Sequence, residues 1–210
     1  MFMSPKYEAS DFPIPRSIDD KITIFEDRIF GWKLDIADQL INGRNHSDGS
    51  QERTPIPHSG YAALDIVFSY FEMIAKYEDG YLDFGKSKHY FRQGVYSVFP
   101  AMRNYQVPAE VPGVQGIVVS LVDYVLDLMY IGVRCGLYHR GSTSGRVVLS
   151  EGFRGPLIFD PQNISLGINH RLLVPKLKEH FASYIKRLRD EGNPELRNNF
   201  EARFDFDSRV

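Results

Sequence analysis

Cysteine is nearly missing from this 210-residue chain. Cys135 stands alone, which excludes an intramolecular disulfide and any cysteine-rich metal site. Neither sign of charge is in excess, since 25 Lys and Arg meet 27 Asp and Glu for a net −2. No global field therefore draws the chain to nucleic acid, and a polyanion site has to be a local patch. The histidines His46, His58, His89, His139, His170 and His180 form no HxxH or HExxH spacing. No metal site is expected from them, and no cofactor. "GKSKH" lacks the spacing of a phosphate-binding loop. No uninterrupted apolar run is long enough to span a bilayer: the longest, Val114 to Val133, contains Asp123 and Asp127, which are costly at membrane depth. The opening "MFMSPKYEASDFPIP" has no charged start followed by an apolar stretch, so it does not read as a secretory signal. The expectation is a cytoplasmic protein with no membrane partner. Internal repeats and low-complexity tracts are absent too.

What is present suits a packed interior, with 43% hydrophobic and 13% aromatic residues. That is enough for one domain over residues 1–210. Residues 1–17, with Pro5, Pro13 and Pro15, read as an extended arm. Ser17 is placed to cap a first helix running to about Ile41, whose apolar stripe is Ile18, Ile22, Phe25, Ile29, Trp32, Ile36 and Leu40. Ser59 is placed to cap a second helix. Its core side is Ala63, Ile66, Val67, Tyr70, Phe71 and Ile74, with Asp65, Ser69, Glu72 and Lys76 opposite. A shorter helix is expected around "SKHYFRQGVYSVFPAM", and a fourth from about Val114 to Tyr138. Residues 142–168 hold short β-branched runs bounded by turn residues, read as a small β-hairpin or three short strands. A last helix follows, with Pro175 expected in its first turn. The charged tail, 192–210, is expected to pack loosely or extend. The predicted fold is all-α: an up-and-down bundle of about five helices, with a small β-hairpin insert before the last.

The fourth helix ends in "VRCGLYHRGSTSG". On an ideal helix Asp123, Asp127, Tyr130, Arg134 and Tyr138 share one stripe, while Gly132 and Gly136 lie opposite for close packing inside the bundle. Cys135 falls on a largely apolar side and reads as a buried, inert thiol. His139 follows Arg134 by five residues, about 140° round a continuous helix. The two side chains converge only if the helix breaks at Tyr138 or His139, and Gly141 offers a C-terminal cap for such a break. Arg and His at a helix C-terminus are also favourable simply by facing the dipole. Spacing alone carries little weight, because about 1.4 Arg-x(4–6)-His pairs arise by chance in such a composition. Arg53 to His58 is a second instance.

The place of Arg-x4-His at the end of a long apolar bundle helix gives it more meaning. Over Val114 to Gly141, and most closely in "VRCGLYHRG", the chain resembles the HEPN superfamily. The resemblance implies a single HEPN-like helical domain acting as a metal-independent endoribonuclease. Members are often toxins or host-defence effectors and work as homodimers, some with a neutralising antitoxin protein. It implies that Arg134 holds the scissile phosphate of an RNA substrate. His139 would be general acid or base for attack by the neighbouring 2′-hydroxyl, beside Tyr138. Histidine titrates near neutrality and guanidinium grips phosphate bidentately, so these residue types suit the chemistry. Arg140, Arg146 and Arg154 form either a phosphate-binding rim or scattered solvated charge. Asp65 and Glu72 either orient Arg134 and His139 or belong to a solvated helix face. The alternative function is a non-catalytic HEPN-like module that binds a nucleotide or RNA, or dimerises.

Overall fold

The structure is a computed structural model that describes residues 2–45, 50–104, 108–111 and 114–208. Six long helices dominate these residues. The first, α1, spans residues 18–42 and combines α-helix Ile18–Ile29, a π-helical stretch Phe30–Leu34 and α-helix Asp35–Asn42. It is followed by α2 (Gly60–Asp79), α3 (Ser87–Val98), α4 (residues 121–140), α5 (His170–Arg189) and α6 (Pro194–Asp207). Helix α2 is the axis of the bundle, packing against α1, α3, α5 and α6. It is buried on nearly every side, with Ala63, Leu64, Val67, Tyr70, Phe71 and Ile74 fully enclosed. The tightest approach is to α3: a Cβ at Gly94 would collide with the Phe71 carbonyl oxygen, so only glycine lets these backbones meet.

Ser17 caps α1 as expected. Its Oγ accepts the Asp20 N–H at 3.1 Å, and Asp20 answers at the Ser17 N–H. The expected apolar stripe fails halfway along, because Trp32 and Ile36 are exposed while Leu34, Ala37 and Ile41 are buried. The π stretch is the cause. An i→i+5 turn inserts a residue into the helical repeat and rotates everything after it. Ser59 does not cap α2; its Oγ donates to the Leu40 carbonyl at 2.8 Å instead. Pro175 lies inside α5, beyond its first turn and on an exposed face.

Residues 2–17 are not a free arm. Ser4 is fully buried, and its hydroxyl donates to Asp27 Oδ2 at 2.7 Å beside the Lys6 N–H at 2.8 Å. The tail also departs from expectation. Residues 194–207 form α6, starting with Pro194 at its first position and inserting Phe200 and Phe204 into the core. Phe200 meets Phe25 and Tyr77 with ring centroids 5.4 and 5.7 Å apart. Its sequence shows little amphipathic pattern because only Phe200, Arg203 and Phe204 are buried among charged neighbours.

Strands are short. β1 (Arg44–Asn45) pairs with β2 (Gln51–Arg53), and β3 (Pro108–Glu110) pairs antiparallel with β4 (Val118–Ser120). β4 takes residues expected to be helical, so α4 begins at Leu121 rather than near Val114. The β-branched run through Val118 and Val119 suits a strand, and Ser120 caps the helix by accepting the Asp123 N–H. The insert at 142–168 takes the second of its two expected forms, three short strands rather than a hairpin alone. β6 (Leu157–Asp160) and β7 (Ser165–Ile168) form the hairpin, and β5 (Val147–Leu149) adds parallel to β7 in the order β5-β7-β6. Two helices follow this sheet, so the helix count is six rather than five. Among the described residues no helix is long and apolar enough to cross a membrane.

Candidate active site on the fourth helix

Helix α4 is irregular where the motif lies. It runs as α-helix Leu121–Asp127, π-helix Leu128–Cys135 and α-helix Gly136–Arg140. Such π stretches recur at functional sites because they re-aim side chains within an otherwise rigid element. The chain does not turn at Tyr138. It stays wound to Arg140, and Gly141, at φ 65°, closes the helix with its N–H on the Leu137 carbonyl. The break expected at Tyr138 or His139 therefore comes too late to swing His139 onto Arg134, and among the described residues the two make no hydrogen bond.

Arg134 is held firmly. Its guanidinium lies 5.7 Å from the Tyr130 ring centroid and 5.8 Å from that of Tyr138, one helical turn to either side. One Nη reaches Glu72 Oε2 on α2 at 3.3 Å. The Arg134 side chain is 29% exposed and Glu72 only 14%. Glu72 in turn accepts from Lys76 Nζ at 2.8 Å and Ser87 Oγ at 2.7 Å. Burial alone would raise the Glu72 carboxyl, but the bonds from Lys76 and Ser87 and the charges of Lys76 and Arg134 hold it below the ordinary carboxylate range. Lys76 is itself buried, with its ammonium 6.0 Å from the rings of Tyr81 and Tyr90. Glu72 and Lys76 thus form an enclosed charge network, not a solvated helix face. Asp65, the other acidic candidate, is exposed and far along α2, with no ion pair among the described residues.

Tyr138 connects the two motif residues without bringing them into contact. It is 74% exposed, lies under Arg134 on one side, and meets His139 edge-on with ring centroids 4.9 Å apart. His139 itself is exposed at the helix end. Asp123 and Asp127, expected on the Arg134 stripe, are taken by α3: Arg92 pairs with them at 3.0 and 2.9 Å, and Lys88 with Asp127 at 2.9 Å. Gly132 and Gly136 do allow close approach, but by the returning segment 142–144 rather than by another bundle helix. Ser144 Oγ would lie 2.9 Å from a Cβ at Gly132, and the Ser142 carbonyl 2.6 Å from one at Gly136. Cys135 is half-buried rather than enclosed.

Arg140, Arg146 and Arg154, read as either a rim or scattered solvated charge, have separate surroundings. Arg140 folds back beside Gly136, and Arg146 borders a cleft of about 550 Å³ with Asp123, Ile131 and Ser144. Arg154 is exposed in the turn before β6. Among the described residues no three His, Cys, Asp or Glu side chains are grouped to hold a metal; His46 lies outside them. The signal that the sequence carried for the Glu72 contact was its place, with Lys76, on the polar side of α2. Ser87, at the first position of α3, carried none. No family model, no curated protein and no solved structure matches this chain.

Proposed function

We propose that the protein is a metal-independent endoribonuclease of HEPN type, acting as a homodimer and serving as a toxin or defence effector. The observation that carries this reading is a guanidinium fixed by Glu72 between two tyrosine rings, with an exposed histidine at the end of the same helix. Arg134 keeps an open edge for a phosphate, and its rigid seat suits a group that must be in place before charge develops. His139 does not reach it within one chain. Two copies that pair α4 against α4 supply two arginines and two histidines to one cleft. Ile131 and Tyr138, 54% and 74% exposed, give that face the apolar and aromatic surface a second copy covers. In the reaction the RNA 2′-oxygen attacks phosphorus and the P–O5′ bond breaks. One histidine accepts the 2′-hydroxyl proton and the other protonates the leaving 5′-oxygen, leaving a 2′,3′-cyclic phosphate.

His139→Ala is expected to abolish RNA cleavage in the presence of chelator while the protein stays folded and dimeric. Equal cleavage by that variant overturns the mechanism. A second reading, a non-catalytic module that binds RNA or a nucleotide, draws on the same Glu72–Arg134 pair, which already balances the arginine charge. Salt-sensitive RNA binding without product supports it over the first.

A further inference from the structure

Away from α4, a cavity of about 510 Å³ opens where the first turns of α2 and α5 meet. Its floor is Gly60, twelve residues and about 18 Å along α2 from Glu72, so it is a place distinct from Arg134. Helix α2 is 20 residues long, and no side chain caps its start, because Ser59 is turned back to Leu40. Gly60 and Tyr61, whose N–H groups have no acceptor within the helix, line the cavity at the positive end of the helix dipole, with no capping side chain. His170, at the first position of α5, lies flat on Gly60, where a Cβ would come within 3.0 Å of the ring. It is 9% exposed, and its Nδ1 is buried with no hydrogen-bond partner. Such an orphan is unusual in a folded protein; it is enclosed against Gly60, and the ring's other nitrogen, Nε2, is the one turned to Glu151.

Arg171 stands beside it. Its Nε donates to Glu151 Oε1 at 2.8 Å and one Nη to Asn42 Oδ1 at 3.1 Å. Glu151 Oε1 also lies 3.4 Å from His170 Nε2. This carboxylate is 53% exposed, in the turn between β5 and β6, and it fills the cationic corner from outside. The opposite wall is apolar: Pro55, Ile56 and Pro57, with the exposed ring of Tyr61 beside them.

We propose that this cavity binds a small phosphate monoester carrying a flat ring, of the class of a nucleoside monophosphate. The phosphate sits at the start of α2 against Arg171 and His170, displacing Glu151, and the ring lies on Tyr61 and the proline-flanked wall. Helix starts and guanidinium both suit a dianionic phosphate, and an aromatic ring on a proline-rich wall suits a planar base. The proposal is independent of the ribonuclease reading.

Calorimetric titration of the full chain with adenosine 5′-monophosphate, inorganic phosphate and adenosine tests it. Saturable binding of the monophosphate is expected, with phosphate and adenosine each weaker by about tenfold or more. Arg171→Gln should weaken it at least about tenfold, and Glu151→Gln should strengthen it. Tyr61→Ala, at an exposed position, should weaken the monophosphate and leave phosphate unchanged. Arg134→Ala should retain binding, which separates this site from the one on α4. The proposal falls if no saturation occurs below about 10 mM, if phosphate binds as well as the monophosphate, or if Arg134→Ala loses binding that Arg171→Gln keeps.

Discussion

Removing the Glu72 carboxylate should cost far more than removing its buried partner, because the two losses leave different groups stranded. In Glu72→Ala, the Lys76 ammonium, 7% exposed, keeps only the Phe84 carbonyl at 3.4 Å and two ring faces at 6.0 Å. Breaking a buried ion pair from one side costs about 3–5 kcal/mol. The ring faces and the Phe84 carbonyl that remain leave the charge partly compensated, which puts this variant at the low end of that range, near 3 kcal/mol. In Lys76→Met, Glu72 keeps Ser87 at 2.7 Å and Arg134 at 3.3 Å, so the loss is about 1 kcal/mol, close to one hydrogen bond. The double variant strands no buried charge at Lys76 and frees Arg134 toward solvent, so about 2 kcal/mol is expected against a sum of about 4. The coupling is then roughly 2 kcal/mol. Urea unfolding of the four proteins at one fixed protein concentration measures it, provided the slopes agree. Additive costs within about 0.5 kcal/mol would show that Glu72 and Lys76 do not depend on each other, and the description of an enclosed network would be wrong.

His180 predicts a pH dependence. Burial, then the charges of Arg187 and Lys176, lowers it from 6.5 to about 4, while Tyr70 and Ser97 occupy its two nitrogens at 2.7 and 3.0 Å and Glu78 faces it through Ser97. Between those values the unfolded chain binds the extra proton, so stability is fully present above pH 6.5 and is lost as pH falls toward 4. With partial exposure discounted, the loss is about 2 kcal/mol. His180→Gln should flatten that part of the urea-midpoint profile, and an unchanged slope in the variant counts against the assignment. Phe200→Ala, which empties a fully buried site between Phe25, Tyr77 and Phe204, should lower unfolding free energy by about 3–5 kcal/mol. A change under about 1 kcal/mol would refute the packing of α6 through Phe200.

The readable parts of the fold were those governed by one local rule. The enclosed side of α2 follows from 3.6-residue periodicity, and both the Ser17 cap and the Gly141 cap follow from residue type. The unreadable parts are those where a second effect outweighs the local one. In α1 a π turn shifts the phase of the stripe, so that Trp32 and Ile36 face out. Val118 and Val119 extend an apolar run continuous with α4, yet they pair with β3 and leave Ser120 to start the helix. In α6 two phenylalanines anchor a chain otherwise rich in charge, and no periodicity announces them.

The candidate site shows the same division. Arg134, Tyr138 and His139 are adjacent in sequence, and their types suggest phosphate chemistry. What fixes Arg134, however, comes from residues 62 and 47 positions earlier, Glu72 and Ser87. Charge patterning placed Glu72 on the polar side of α2, where a solvated carboxylate and a buried anchor look alike. The difference arises only when α3 lays Ser87 and Tyr90 over that side, enclosing Lys76 with it. Once enclosed, the carboxylate is committed to three donors, and Arg134 is far more exposed than Lys76 among them. The orientation of the Arg134 guanidinium is therefore set by a carboxylate of the core; under the ribonuclease reading proposed above, a phosphate would compete only for its open edge. That is why the arginine can be fixed without being buried, whereas His139, exposed at the helix end, has no such anchor; under the dimeric ribonuclease reading proposed above, a second chain is what positions it.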